Sequence, residues 1–164
     1  MLKTPHVGDL APDLQLHLAV NDLHARYAHA LDEDRLEDWP GFFTENGRYR
    51  VTTAENEARR LPAPVLYAEG RAMLRDRVAS LRHANIYEPQ RYRHMVSAVL
   101  VDSDGPVVRS VANFLVIRVM ESGDTLLYAS GRYVDRIRLA DMLFEERVVV
   151  CDSRRFDTLL AIPL

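Results

Sequence analysis

The chain has 164 residues, enough for one domain with a sizeable core, whereas two independent domains would each be marginal. Its 21 basic and 24 acidic side chains give a formal net charge of −3, which argues against a nucleic-acid-binding or membrane-surface protein. The single cysteine, Cys151, excludes an intrachain disulfide and a cysteine-built zinc or iron–sulfur site, and no apolar run approaches the roughly 20 residues of a membrane span.

The first predicted elements are a leader and a helix. Residues 1–12 contain two prolines and a glycine, which predicts a flexible leader, and they lack the apolar run of a signal peptide. We therefore expect a cytoplasmic protein with one domain over 13–164. Asp13 can cap a helix, and apolar residues then recur at intervals of three and four. These residues are Leu16, Val20, Leu23, Tyr27, Ala30 and Leu31.

The middle of the chain mixes short helices with one strand. A helical turn over 35–43 carries Trp39, Phe42 and Phe43, whose rings are expected in the core. The alternation over 48–52 predicts a strand, and the charges and prolines of 53–65 predict a loop. A second amphipathic helix is expected over 71–84. Its apolar face is formed by Met73, Leu74, Val78 and Leu81.

The rest of the chain is rich in strand-forming residues. Tight turn signals separate the segments 92–101, 106–120, 125–138 and 142–151, which predicts an antiparallel meander, with a bend at Gly131. The apolar ending 157–164 is expected to add a last strand, to cover a subunit contact, or both. Helices followed by a long curved antiparallel sheet indicate an α+β fold with the helices packed on one face. This is the pattern of the cone-shaped fold of scytalone dehydratase and ketosteroid isomerase.

Three parts of the sequence resemble a known family. They are 27–32 with 39–51, then 85–94, and finally 150–164. Their order and spacing resemble the small (β) subunits of aromatic-ring-hydroxylating (Rieske) dioxygenases. The last two parts are most similar to the terephthalate-type small subunits. The resemblance spans roughly residues 20–164.

This resemblance implies a non-catalytic role for this chain. In the family, a large α subunit carries the Rieske [2Fe-2S] cluster and a mononuclear iron, and the β subunit is a scaffold in an α3β3 hexamer. A reductase passes electrons from NAD(P)H to the α subunit, which hydroxylates an aromatic substrate to a cis-dihydrodiol or a phenol. The resemblance thus implies no cofactor in this chain and neither a nucleic-acid nor a membrane partner.

The histidines are poorly spaced for a metal site. His24 and His29 are five residues apart, so they point about 140° away from each other around a helix. A facial triad of two histidines and one carboxylate needs side chains that converge.

The alternative is a free-standing cone enzyme, a dehydratase or isomerase acting on a small ring compound. Asp32 and His94 are its acid–base candidates, and Tyr27, His83 and Asn113 could converge with them. In the competing interpretation, Asp32 lies at a solvated helix end, and His94 lies on the sheet with a hydrogen-bonded ring nitrogen.

A second set of residues is predicted to form a subunit contact. Tyr87, Arg91, Tyr92 and Arg93 lie between the second helix and the first long strand, and Tyr and Arg are favoured at interfaces. The competing interpretation is an ordinary loop in which the arginines pair with Glu88 or other nearby acids.

Overall fold

The computed structural model describes most of the chain. The described residues are 11–61, 64–84, 88–155, 160 and 162–164. Residues 1–10 of the predicted leader and the interface candidate Tyr87 lie outside this part. The first helix begins at Ala11, two residues before the predicted domain start.

Four helical segments are described. They are α1 (Ala11–Asp32), a 3-10 helix (Leu36–Phe42), α2 (Ala54–Ala58) and α3 (Gly70–His83). The short helix α2 was predicted as loop, and the side chain of Thr53 caps it by accepting a hydrogen bond from the Asn56 backbone at 3.2 Å. Met73 was predicted on the apolar face of α3 but is 46% exposed. Among the described helices, none is long and apolar enough to cross a membrane.

Six strands form one sheet. They are β1 (Phe43–Thr53), β2 (Leu66–Glu69), β3 (Gln90–Asp104), β4 (Val107–Met120), β5 (Thr125–Arg138) and β6 (Leu143–Cys151). The order across the sheet is β2-β1-β6-β5-β4-β3, so β3 to β6 form the predicted meander. One pairing lies outside the predicted antiparallel meander, because β1 pairs with β6 in parallel. The turn signals that identify hairpins cannot indicate a partner that lies far along the chain.

Bends in the long strands curl the sheet into a cone. Gly131 faces β6 so closely that a β-carbon there would collide with the Val150 carbonyl oxygen, so this position requires glycine. A further irregularity lies between Ser97 and Leu100, where Ala98 has a positive φ of 51°. The curled sheet wraps around α1, so the concave side holds the core and the convex side faces outward.

The predicted core is largely present. The apolar residues of α1 from Val20 to Leu31 are buried as predicted, and Leu16 is half-buried. Trp39 is fully buried, with its ring 5.0 Å from that of Tyr49 and 5.8 Å from that of Phe43. The helices therefore close one face of the sheet, which confirms the α+β cone.

The end of the sequence enters the cone instead of adding a strand. The described residues 160 and 162–164 lie outside any strand, and Leu160, Ile162 and Leu164 are buried. The backbone oxygen of Leu164 accepts hydrogen bonds from the hydroxyls of Tyr27 at 2.9 Å and Tyr49 at 3.1 Å. For these residues the predicted last strand was wrong, and the segment fills the core of its own chain.

Candidate functional site

A buried ion pair lies at the centre of the cone. Asp135 of β5 and Arg147 of β6 are directly paired across the two strands and point inward. Nε and Nη2 of Arg147 donate to the two carboxylate oxygens of Asp135 at 2.9 and 2.8 Å. Both side chains are 0% exposed. Burial by itself lowers the pKa of Arg147, but the Asp135 carboxylate outweighs burial and raises this pKa above its ordinary value.

Three aromatic rings enclose the guanidinium group of Arg147. Its central carbon lies 4.1 Å from the ring centroid of Tyr27, 4.2 Å from that of Tyr133 and 4.0 Å from that of Phe144. The electron-rich face of an aromatic ring attracts a cation, and this attraction is stronger where water is excluded. The cage therefore compensates part of the solvation that Arg147 lost on burial.

His24 of α1 joins the ion pair to the helix. Its Nδ1 lies 2.8 Å from Nη2 of Arg147, and its Nε2 lies 3.3 Å from the hydroxyl of Ser110. A guanidinium can only donate, so Nδ1 must accept and the ring proton must reside on Nε2. Burial, followed by the nearby charge of Arg147, lowers the pKa of His24 from 6.5 to about 3. His24 is thus a neutral structural residue at ordinary pH.

Hydrogen bonds within the chain also occupy the tyrosines of the interior. Tyr27 accepts a bond from Nε1 of Trp39 at 3.0 Å and donates to Leu164 at 2.9 Å. Burial raises the pKa of Tyr27, Tyr49 and Tyr133. The hydroxyls of Tyr27 and Tyr49 are therefore held neutral and hydrogen-bonded within the chain.

The ion pair was not predicted from the sequence. Asp135 and Arg147 sit at inward positions of their strands, where Tyr133, Ile137 and Val149 supply apolar neighbours. Two opposite charges at apolar positions of adjacent strands were the available signal. It could be used only after the register between β5 and β6 was known.

Asp32 and His94 do come together, at the rim between α1 and β3. Nδ1 of His94 lies 2.6 Å from a carboxylate oxygen of Asp32, and the His94 backbone N–H donates to both oxygens at 3.1 and 3.0 Å. The side chain of His94 is 0% exposed and that of Asp32 is 3% exposed. The interpretation of Asp32 as a solvated helix end was therefore wrong. Nε2 of His94 is buried without a hydrogen-bond partner among the described residues.

The wider acid–base cluster is not formed. Asp32 and His94 line a groove of about 530 Å³ together with Asn21, His29 and Arg93. Of the other three candidates, Tyr27 belongs to the cage around Arg147, whereas His83 is exposed at the end of α3. Asn113 is exposed on the convex side of the sheet.

The described contact candidates lie at the start of a strand, which begins two residues before the predicted strand 92–101 and so includes Arg91. Arg91, Tyr92 and Arg93 are the second to fourth residues of β3. Tyr92 is buried, with its ring 5.2 Å from that of Tyr128, so it belongs to the core of this chain. Arg91 and Arg93 are exposed and line a groove of about 770 Å³ near the rim. Arg93 lies 3.9 Å from a carboxylate oxygen of Asp32.

Within the described ranges, no group of three or more His, Cys, Asp or Glu side chains is placed to hold a metal ion.

Comparisons with known proteins agree on one family. Residues 12–142 match the family described as SnoaL-like domain. The chain is 42% identical over 144 residues to a terephthalate 1,2-dioxygenase terminal oxygenase component subunit beta 1 of Comamonas sp., covering 86% of this chain and 94% of the relative. It is 39% identical over 160 residues to an anthranilate 1,2-dioxygenase small subunit of Burkholderia cepacia, covering 95% and 99%.

Solved structures give the same picture. A crystal structure from Novosphingobium aromaticivorans, assigned as the beta subunit of an aromatic-ring-hydroxylating dioxygenase, superposes with a TM-score of 0.84 at 35% identity and covers 92% of this chain and 99% of that chain. A protein of the same organism assigned as a scytalone dehydratase superposes with a TM-score of 0.64 at 17% identity, covering 86% of this chain and 87% of that chain. That second likeness shows the shared cone fold alone.

The depressed pKa of His24 predicts an acid-sensitive fold. The folded chain keeps His24 neutral down to about pH 3, whereas the unfolded chain binds a proton below 6.5. Falling pH between these values therefore favours unfolding, by up to about 1.4 kcal/mol per pH unit. Denaturant unfolding between pH 7 and 4 should show this loss in the wild type. Asparagine at position 24 can still accept a hydrogen bond from Arg147 but does not titrate. The His24→Asn variant should therefore lack the part of the stability loss that comes from protonation of His24. If the free energy of unfolding falls equally with pH in the two proteins, the loss does not come from His24 and the prediction is contradicted.

Proposed function

Because this chain belongs to the small (β) subunits of aromatic-ring-hydroxylating dioxygenases, within the SnoaL-like domain family, we propose that it is a non-catalytic scaffold. It supports assembly of a large α subunit that carries the Rieske [2Fe-2S] cluster and the mononuclear iron. That subunit dihydroxylates an aromatic acid with dioxygen and with electrons from NAD(P)H, delivered by a reductase. The complex is an α3β3 hexamer in the cytoplasm, with no nucleic-acid or membrane partner.

One observation carries this proposal: the charged groups at the centre of the cone are fully buried and bound to each other. A cone-fold enzyme needs a cavity with polar groups that are free to meet a substrate. Here Arg147 and Asp135 are fully buried and bound to each other, and Leu164 is hydrogen-bonded to Tyr27 and Tyr49. These groups stabilise the fold and offer no place for a substrate between them.

The substrate class follows from the two curated relatives. One is named for terephthalate and the other for anthranilate, both aromatic carboxylic acids. Their identities of 42% and 39% are too similar to select one acid. We assign the class of aromatic acids and place the choice among them in the α subunit.

Arg91 and Arg93 remain candidates for the contact with the α subunit. Arg91 has no ion-pair partner among the described residues, and the Arg93 side chain is 65% exposed, 3.9 Å from Asp32. Two available guanidinium groups at a rim can bind carboxylates of a partner. Tyr92 is removed from this set because it is buried in its own chain, and Tyr87 stays a prediction outside the described residues.

Co-purification with the α subunit tests both the scaffold and the contact. The wild-type chain should co-purify with tagged α subunit and elute with it as a hexamer in gel filtration. Arg91→Ala with Arg93→Ala should lower the yield of complex while leaving the melting curve of the isolated β chain unchanged. Loss of one partner of a desolvated charge pair costs about 2–5 kcal/mol, compared with about 1 kcal/mol or less for a rim pair.

The matched control replaces Arg60 and Arg75, two exposed arginines without an ion pair to another described residue. That double variant should co-purify normally. If the wild type itself fails to bind the α subunit, the scaffold proposal is contradicted. Normal yield from the Arg91 and Arg93 variant would contradict this contact only.

The second candidate function is acid–base catalysis by Asp32 and His94. The observation in its favour is the 2.6 Å contact that orients the His94 ring, together with the unpartnered Nε2 atom. A positioned carboxylate and imidazole are the parts of a general base. Against it, the His94 side chain is 0% exposed, so a substrate has no direct access to that atom.

Substitution of His94 separates the two functions. A general base contributes about 10²–10⁴ in rate, whereas a structural residue affects yield and melting temperature. We expect the assembled oxygenase with His94→Gln or His94→Ala to turn over within a few-fold of the wild type per iron. A loss of more than about 100-fold, in a complex of unchanged yield and iron content, would give His94 a chemical role.

A further inference from the structure

A groove lies between helix α1 and the edge strand β3, and it is here called the α1–β3 groove. The sheet order places β3 at one end, so one side of its backbone has no neighbouring strand within the described sheet. The groove has a volume of about 530 Å³. It is lined mainly by Asn21, Ala25, Ala28 and Asp32 of α1 and by Arg93, His94, Met95 and Val96 of β3.

Asp32 closes one end of the groove by binding the backbone of β3. Its carboxylate oxygens accept the His94 N–H at 3.1 and 3.0 Å, where a neighbouring strand would supply a carbonyl oxygen. In an antiparallel ladder the N–H and C=O of one residue point to the same side, and this side alternates along the strand. The pairing of β3 with β4 is regular from Gln90 to Ser97, so Val96 presents its N–H and C=O to the groove as His94 does. Such groups at a sheet edge are a template for pairing with another extended chain.

The face of α1 that borders the groove is a single row of side chains. Its positions are spaced alternately by four and three residues, which places them on one helical face. The row consists of Leu14, Leu18, Asn21, Ala25, Ala28 and Asp32. Leu14 is 56% exposed and Leu18 is 61% exposed, whereas the two alanines leave room beside β3. The groove is therefore closed by polar groups at Asp32 and bordered by exposed apolar groups towards Leu14.

The length of this row fits an extended segment. From Leu14 to Asp32 it measures about 27 Å, at about 1.5 Å of rise per residue. A strand of about eight residues, at about 3.3 Å per residue, has the same length. An extended peptide that adds to a sheet edge gains affinity from main-chain hydrogen bonds and specificity from alternate side chains.

The charge of the groove selects the kind of segment. Of the residues that line it, Asp32 supplies the only carboxylate, and this side chain is 3% exposed and bound to His94. His29 is exposed but lies 3.6 Å from Glu33. The side chain of Arg93 is 65% exposed. An incoming segment therefore meets the guanidinium group of Arg93, which favours a carboxylate.

We propose that the α1–β3 groove binds an extended, acidic segment of another protein, which adds to the edge of β3 as a further strand. Val96 supplies main-chain hydrogen bonds, Leu14 and Leu18 receive apolar side chains, and Arg93 binds a carboxylate. The isolated chain contains the whole groove, so this binding is tested without the α subunit and separately from the scaffold function.

Peptide selection on the isolated chain tests this proposal. A phage library of random peptides of about eight residues should yield binders in which apolar residues alternate and Asp or Glu is enriched over Lys or Arg. Fluorescence anisotropy then gives the Kd of one selected peptide. Ala25→Trp fills the groove, and Val96→Pro removes an N–H group that faces it, so each should raise this Kd by about 10-fold or more. Arg93→Gln should raise it by about 2–5-fold, as expected for an exposed ion pair.

The matched control is Gln15→Trp, because Gln15 is exposed on α1 but lies outside the row. This variant should leave the Kd unchanged. Proline is tolerated on a strand edge that faces away from the neighbouring strand, and Ala25→Trp keeps the test valid if Val96→Pro does not fold. Selection of no binders, or of binders rich in Lys or Arg, would overturn the proposal, as would a Kd that Ala25→Trp leaves unaffected.

Hydrogen exchange of the Val96 amide identifies the occupant of the groove. In the dilute chain without peptide this amide should exchange rapidly, and the bound peptide should slow its exchange by about 10-fold or more. Slow exchange in the dilute chain would mean that the chain itself fills the groove. Slow exchange only at high protein concentration would assign the groove to a second copy. Either result would overturn the proposal.

Discussion

Arg147 is a buried cation, and much of the cone is arranged to keep it supplied with counter-charge and hydrogen-bond acceptors. Asp135 accepts two of its hydrogen bonds, His24 accepts a third, and three aromatic rings lie about 4 Å from the guanidinium carbon. An isolated buried charge would cost many kcal/mol, so these groups cannot be separated without large destabilisation. The same contacts connect the consecutive strands β5 and β6 to α1, which is far from them in the sequence. Formation of the ion pair is therefore coupled to closure of the helix onto the sheet.

This arrangement is consistent with one fold serving as an enzyme in some proteins and as the scaffold proposed for this one. The cone supplies a curved sheet around a helix, and the chemistry depends on which side chains point inward. Here the inward positions hold the ion pair of Asp135 with Arg147, and Tyr27 and Tyr49, which both donate to the buried Leu164. The contact between Asp32 and His94 lies at the rim, where it joins the end of α1 to the start of β3. The outer surface is then available for contacts between chains.

Local patterns predicted the elements better than they predicted the pairing of distant residues. The boundaries of β5 over 125–138 and the apolar face of α1 follow from turn signals and periodicity, which are properties of neighbouring residues. The parallel pairing of β1 with β6 and the strand position of Arg91 depend on contacts that tertiary packing selects. For the same reason the cluster around Arg147 was invisible in the sequence, although each of its members was present. Asp32 and His94 were proposed as a pair on chemical grounds, and the structure brings them into contact.

In the proposed scaffold, Arg147 and Asp135 stabilise the cone and take no part in chemistry. The most direct measurement replaces both with apolar residues of similar size, as Arg147→Met with Asp135→Leu, and compares unfolding and turnover in the assembled oxygenase. Arg147→Met alone should cost about 3–5 kcal/mol of unfolding free energy, because it leaves Asp135 buried and unpaired. The double variant should recover most of that loss and support turnover per iron close to the wild-type value. A stable double variant that assembles with full iron content but turns over at least about 100-fold more slowly would contradict the account.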